Sequence, residues 1–341
     1  IFSSAALGLL SGGGASYDRV VWNQFLTLLA GLLAMLLIGR FPYRQWGKIA
    51  VWLFGLSLLL TVLVFIPELG FSSGGASRWI SLGSRTFQPS ELLKLGFIIY
   101  LAAWLAKIRE RVTTWRSGFF PFLFFCGLTV FILIAQPDLG TGLVLLTAAT
   151  AMFFAAGANW RQISLLFLLA LLGFLAVVIL KPYARERVVT FLYPDRKVES
   201  SAWQINQSLI AIGSGGLTGR GFGQSLQKFN YLPQPIGDSI FAVAGEEFGF
   251  VGGMTLILAF ILFASWGLRI AGRAPDRFGR LLVVGLVVLI IASVFINIAS
   301  MLGLFPLTGI PLSFVSHGGS ALLFSMLGCG IILNVARAAR P

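Results

Sequence analysis

Charge is what this sequence has least of: Asp, Glu, Lys and Arg make up 11% of its 341 residues, against 57% apolar ones. Soluble domains carry about 25% charged residues, so a soluble globule is excluded. Cysteine is scarce as well. Cys126 and Cys329 stand singly in apolar runs, which excludes a disulfide framework and a thiolate metal site. His317 is the one histidine; without a second imidazole or a thiol beside it, it reads as a hydrogen-bonding residue and not as a metal ligand or triad member. The glycine run Gly213–Gly223 does not end in Gly-Lys-Ser/Thr, so it is no Walker A loop and argues against an ATP-driven pump. No repeat of 20–50 residues and no low-complexity tract stands out. The opening decamer Ile1–Leu10 lacks the basic start and small-residue cleavage site of a signal peptide, and is expected to lie inside a first membrane helix.

What the chain has in abundance is long apolar stretches. They fall at about 1–11, 20–39, 46–66, 89–106, 118–135, 139–158, 162–180, 239–268, 281–303 and 315–336, most of them long enough to cross a ~30 Å hydrocarbon layer. The expected fold class is therefore all-α: a polytopic membrane protein with ten transmembrane helices in a single domain, 1–341. One large polar loop, 181–237, separates the seventh and eighth runs. The net charge of +13 has a location. The connections and ends on one side hold fourteen basic residues, among them Arg40, Arg44, Lys107, Arg161, Arg273 and Arg337, against two acids, Glu110 and Asp276. The rest of the chain is nearly balanced. By the positive-inside rule the basic side is cytoplasmic, with both termini, and the 181–237 loop faces outward. The charge is an orientation signal and not a nucleic-acid footprint.

Four outward segments carry polar residues that plain connectors do not need. In Ser77–Leu95, Pro89 is placed to begin a helix, and Glu91 and Lys94 then share one face as an ion pair. Lys94, with Arg78 and Arg85 nearby, could also meet an anionic head group. In Gln136–Leu143, Asp138 is either a helix cap or a carboxylate for a hydroxylated or cationic substrate. Pro306–Leu323, rich in Pro, Gly and hydroxyls, is the broken backbone tolerated where it is buried or lines a cavity. The long loop adds Arg185, Arg187, Arg220 and Lys228 around the glycine run, which is a tight turn or a phosphate cradle. Asp238 at its end is either an N-cap, although Phe241 at N3 gives no capping box, or a base for a sugar hydroxyl. Glu246 and Glu247 follow within the helix, and at least one of them must face protein. These residues alone indicate an outward-facing protein that handles lipid or sugar.

The same segments resemble the SEDS family (shape, elongation, division and sporulation proteins). The matching stretches are RWI (Arg78–Ile80), FQPSELLKL (Phe87–Leu95), QPDLGTG (Gln136–Gly142), QSLIAIGSGGLTGRGFGQS (Gln207–Ser225), YLP (Tyr231–Pro233), DSIFAVAGEEFGFVG (Asp238–Gly252) and PLTGIPLSFVSHGGS (Pro306–Ser320). The resemblance implies a peptidoglycan glycosyltransferase that polymerises lipid II, inverting the anomeric carbon and releasing undecaprenyl pyrophosphate, beside a class B penicillin-binding protein. It implies Asp238 as the catalytic residue and substrate contacts at Arg78, Glu91, Lys94, Asp138, Arg187, Gln207, Lys228 and Ser316. A divalent cation, Mg or Mn, on the pyrophosphate is compatible with this chemistry, but no ligand cluster marks a metal site. PLSF and SHGG stand where many members have PLPF and SYGG, and PQPIGD stands where a Glu-His-Thr-Asp pattern is common. The reading leans to the elongation (RodA-type) branch, the alternatives being a division (FtsW-type) polymerase, a lipid II flippase or a non-catalytic scaffold.

Overall fold

Nine of the apolar runs become helices, because a backbone in hydrocarbon must satisfy its hydrogen bonds within the segment. The computed structural model describes residues 14–66, 68–73, 76–82, 85–193, 201–229 and 231–339; the first run, 1–11, and the side chain of Arg85 lie outside the described residues. The helices are α1 (Gly14–Ile38), α2 (Arg44–Leu63), α3 (Pro89–Ile108), α4 (Phe120–Ala135), α5 (Leu139–Ala155), α6 (Trp160–Leu180), α7 (Pro182–Leu192), α8 (Ser201–Ser214), α9 (Ile240–Gly272), α10 (Arg277–Met301) and α11 (Gly319–Ala338). Seven of them are long and apolar enough to cross a membrane, and α5 is a shorter apolar helix. The protein is an all-helical, multi-pass membrane protein in its architecture, with two features that the apolar runs do not mark. The 181–237 segment is not irregular, since α7 and α8 lie in it. A small antiparallel sheet joins α2 to α3 in the order β1 (Gly70–Ser73), β2 (Ala76–Leu82), β3 (Arg85–Phe87), with Phe71 opposite Trp79 and Ile80 opposite Phe87.

The chain divides into two compact units, Ile1–Ala30, Val177–Phe263 and Ser293–Leu322 in the first, and Gly31–Ala176, Ala264–Ala292 and Leu323–Pro341 in the second. In the second unit α3 is enclosed on nearly every side: Leu93, Phe97, Ile98, Ile99, Leu101 and Leu105 are all buried. Lipid tails are as apolar as leucine, so such packing rests on close van der Waals fit and not on expulsion of water. Gly96 lets α2 approach, for a Cβ there would stand 2.9 Å from Ser57 Oγ and 3.3 Å from Leu53 O. Gly285 on α10 meets Met152 and Ile98 in the same way. By contrast α6 exposes Phe167, Leu168, Leu171, Leu172 and Ile179, the surface expected of a helix facing lipid.

The turn between α9 and α10 is tied down by Asp276. Its carboxylate accepts from Tyr43 Oη at 2.7 Å, Arg44 Nε at 3.0 Å and Gly279 N at 2.8 Å. Burial alone would raise this carboxyl, but the Gly279 N–H, the Tyr43 hydroxyl and the Arg44 guanidinium outweigh it and hold it below its ordinary value. A depressed carboxyl contributes stability that is complete above its unfolded value of 3.8 and is lost as pH falls through the lower folded value. Asp276→Asn is therefore expected to lower the melting midpoint at neutral pH and to flatten its decline below pH ~4, measured as melting midpoint against pH in detergent.

Candidate active site

Helix α9 starts at Ile240 and breaks at Gly249, whose φ of 65° and ψ of −163° are not helical. Such a break strands carbonyls before it and N–H groups after it. The glycine run of the first unit satisfies both sets. Phe250 and Val251 N–H donate to the carbonyls of Gly216 and Leu217 at 2.9 and 3.1 Å, while Arg220 and Gly221 N–H donate to those of Glu246 and Glu247, each at 3.0 Å. Only glycine permits this approach. A Cβ on Gly215 would collide with the Gly245 carbonyl, one on Gly219 with that of Glu247, and one on Gly249 with Gly219 N and Leu217 O. The phosphate-cradle alternative fails at Gly219, Arg220 and Gly221, because Gly215, Glu246 and Glu247 carbonyls already take their N–H groups. The run is a backbone clasp on α9.

The acids after Gly245 anchor the strand of chain that leaves the clasp. Glu246 is 0% exposed and accepts from Ser225 Oγ at 2.5 Å, Leu226 N at 2.9 Å and Gln227 N at 3.2 Å, with Arg220 Nε 3.6 Å away. Glu247 meets Lys228 Nζ at 2.9 Å, and that ammonium also donates to Gly223 O at 2.8 Å. Both Lys228 and Glu247 are 3% exposed. Both glutamates thus face protein, and Lys228 is a strut between α9 and the clasp. Removing one partner of a buried pair costs about 3–5 kcal/mol, whereas an apolar replacement of both is often neutral. Lys228→Ala is expected to be destabilised on that scale, and Lys228→Met/Glu247→Leu to recover most of the loss with KM unchanged. Melting midpoints and substrate titration check it.

Asp238 sits where three elements of the first unit converge. Ser239, the residue before α9, accepts from Ala242 N and Val243 N at 3.0 and 3.3 Å, so Ser239 and not Asp238 holds the N-cap position. The Asp238 carbonyl instead accepts from Asn297 Nδ2 of α10 at 2.8 Å. From the Pro306–His317 loop, Ser316 Oγ donates to Gly237 O at 2.7 Å and accepts from Leu312 N at 2.8 Å, and His317 N donates to Ile236 O at 2.7 Å. Burial lowers the pKa of the His317 imidazole. From α7, Arg187 Nη1 donates to Thr308 O at 3.0 Å. The space above Gly309 (φ 69°) joins the two charged groups: the point a Cβ would occupy lies 3.5 Å from Asp238 Oδ2 and 3.8 Å from Arg187 Nη2. A carboxylate and a guanidinium thus both approach the bare Cα of Gly309.

Of the other expected contacts, Gln207 lies buried on α8 in this unit, and Ser316 stitches backbone with its hydroxyl. Arg78, Glu91, Lys94 and Asp138 belong to the second unit. Pro89 is the first residue of α3, and Glu91 pairs with Lys94 at 2.7 Å one turn in. Asp138 caps α5 through Thr141 N at 3.3 Å, while its Oδ2 is buried with no hydrogen-bond partner. Arg78 of β2 donates to the carbonyls of Gln136 and Pro137, clamping the turn that presents Asp138. Sequence reasoning passed over Asn297, Thr308 and Gln204, which donates to Ser239 Oγ at 2.9 Å. Asn297 carried a usable signal, a lone amide within the apolar run of α10. Among the described residues no three His, Cys, Asp or Glu side chains converge.

The model of the FtsW/RodA/SpoVE family, described as cell cycle proteins, matches residues 3–341. Stage V sporulation protein E of Bacillus subtilis is 41% identical over 318 residues, covering 93% of this chain and 87% of that protein. A probable peptidoglycan glycosyltransferase FtsW of Geobacter sp. (strain M18) is 40% identical over 314 residues, covering 92% and 86%. Among solved structures, the rod shape determining protein RodA of Thermus thermophilus superposes with a TM-score of 0.69 at 30% identity over 99% of this chain and 94% of that one. A chain from a peptidoglycan synthase complex, reported for its coordination of polymerization and crosslinking, superposes with a TM-score of 0.81 at 32% identity over 98% and 94%.

Proposed function

We propose, since this chain belongs to the FtsW/RodA/SpoVE family, that it is a peptidoglycan glycosyltransferase, and that it polymerises lipid II around Asp238. The observation that carries this reading is the meeting of the Asp238 carboxylate and the Arg187 guanidinium over Gly309. In the reaction we assign, Asp238 takes the proton of an acceptor GlcNAc 4-hydroxyl. The oxygen attacks the anomeric carbon of the donor sugar from the face opposite its leaving group. The bond from that carbon to the pyrophosphate oxygen breaks, its electron pair leaves with undecaprenyl pyrophosphate, and the configuration inverts. Arg187 offsets charge growing on the pyrophosphate, the kind of electrostatic help that is often the largest catalytic contribution. Lys94, Arg78, Asp138 and Gln207 are further proposed substrate contacts. Ser316 and Lys228 act through the backbone they hold.

The basic connections support a placement in the bacterial cytoplasmic membrane with both termini inside and the Asp238 face outside. The likeness to a peptidoglycan synthase complex supports a class B penicillin-binding protein as partner. Purified wild-type chain with that partner, its transpeptidase blocked by a β-lactam, is expected to convert lipid II into glycan ladders. Translocation of lipid II across liposomes without ladders would overturn the polymerase in favour of a transporter. For the elongation role, expression in cells depleted of their elongation enzyme is expected to restore rod shape. Rescue of septation in division-depleted filaments alone would assign the division role.

A further inference from the structure

Beyond Arg277 and Arg280 in its first turn, helix α10 is apolar except for Ser293, Ser300 and one amide, Asn297. An amide in such a helix destabilises unless its hydrogen bonds are made. Asn297 is 1% exposed. Its Nδ2 gives both protons away, to Asp238 O at 2.8 Å and to Ile310 O at 2.7 Å; because both acceptors are carbonyls, the amide can point only one way. Its Oδ1, buried, has no hydrogen-bond partner, which is a standing cost to stability. A side chain selected for packing alone would be apolar at this position.

We propose that Asn297 is a positioning residue that fixes the Asp238 carboxylate against the 306–310 loop; this rests on the glycosyltransferase reading above. The two carbonyls it bridges belong to the two partners of the site. Asp238 O lies outside the ladder of α9, whose first N–H groups go to Ser239, so Asn297 supplies what the helix does not. Ile310 follows Gly309, over which Asp238 and Arg187 meet, and Thr308 O receives Arg187. One amide thereby sets the spacing between the base and the loop that seats the cation.

The test uses the full purified chain with its partner, comparing wild type, Asn297→Leu, Asn297→Ala and Asp238→Asn for lipid II turnover and melting midpoint. Asn297→Leu is expected to lower kcat roughly 10- to 100-fold, the scale of a reacting group displaced by about 1 Å. KM for lipid II should stay within about twofold, and the melting midpoint should fall modestly, because the Asp238 and Ile310 carbonyls lose their donor while the unpartnered Oδ1 goes with it. Asn297→Ala should show the same loss of kcat, which keeps the test decisive if leucine does not fit. Wild-type kcat in a folded Asn297 variant overturns the inference, and so does a loss of kcat that disappears once rates are divided by the fraction of protein that is folded. If Asp238→Asn turns over lipid II as wild type does while the Asn297 variants do not, the base assignment fails and the positioning role falls with it.

Discussion

Asp238→Ala is expected to lower kcat for lipid II polymerisation by about 10²- to 10⁴-fold, the range a positioned general base supplies, while the protein remains folded. The fold should tolerate the change because the start of α9 is held by Ser239, the Asn297 amide binds the backbone of residue 238 and not its side chain, and Ser316 and His317 N hold residues 237 and 236. Truncation leaves space beside Arg187, so formate should restore part of the rate to Asp238→Ala in proportion to its concentration. Asp238→Asn has the same size and no basic oxygen; it should lose as much and gain nothing from formate. Rates of lipid II consumption with and without formate, beside melting midpoints, check both statements.

The second expected result concerns the break in α9. Gly249→Val is expected to destabilise the protein by about 4 kcal/mol or more, a size reached only when a defined device of the fold fails. A β-branched residue at φ 65° is strained in its own right, and its Cβ would collide with Gly219 N and Leu217 O. The four hydrogen bonds joining 216–221 to 246–251 would be lost with it, and the buried Lys228–Glu247 and Ser225–Glu246 links would lose their alignment. Gly213→Ala is the control. It lies in α8 with open space around its Cα and should be neutral or stabilising by up to about 1 kcal/mol. Melting midpoint and the yield of monodisperse protein in detergent separate the two.

How much of this was legible in the sequence depends on whether a feature leaves a local trace. Membrane helices do, since about twenty apolar residues are needed to cross, and each apolar run among the described residues coincides with a helix. Pro89 as a helix start, the Glu91–Lys94 pair and the Asp138 cap were legible because their partners lie within four residues. Helices α7 and α8 were hidden by polar composition inside one long glycine-containing segment. The β1–β3 sheet was hidden by strands of three to seven residues interrupted by glycine. At the site, Asp238 could be marked, but its surroundings could not. The clasp is built from backbone groups some thirty residues apart, and backbone pairing leaves no side-chain signature. Lys228 reads equally well as a phosphate ligand and as a buried strut until Glu247 is seen 2.9 Å away. Arg187 and Asn297 reach the site from elements 51 and 59 positions away from Asp238 in the sequence, a separation that spacing arguments do not span.

We propose that this chain itself joins the sugars and does so through one carboxylate. This is tested most directly by giving purified lipid II to wild type and to Asp238→Asn, each with its penicillin-binding partner present and the partner's transpeptidase blocked, and resolving the glycan products by length. Ladders are expected from wild type and none from Asp238→Asn, with equal melting midpoints and equal capture of the partner. Ladders from a folded Asp238→Asn at the wild-type rate would contradict it.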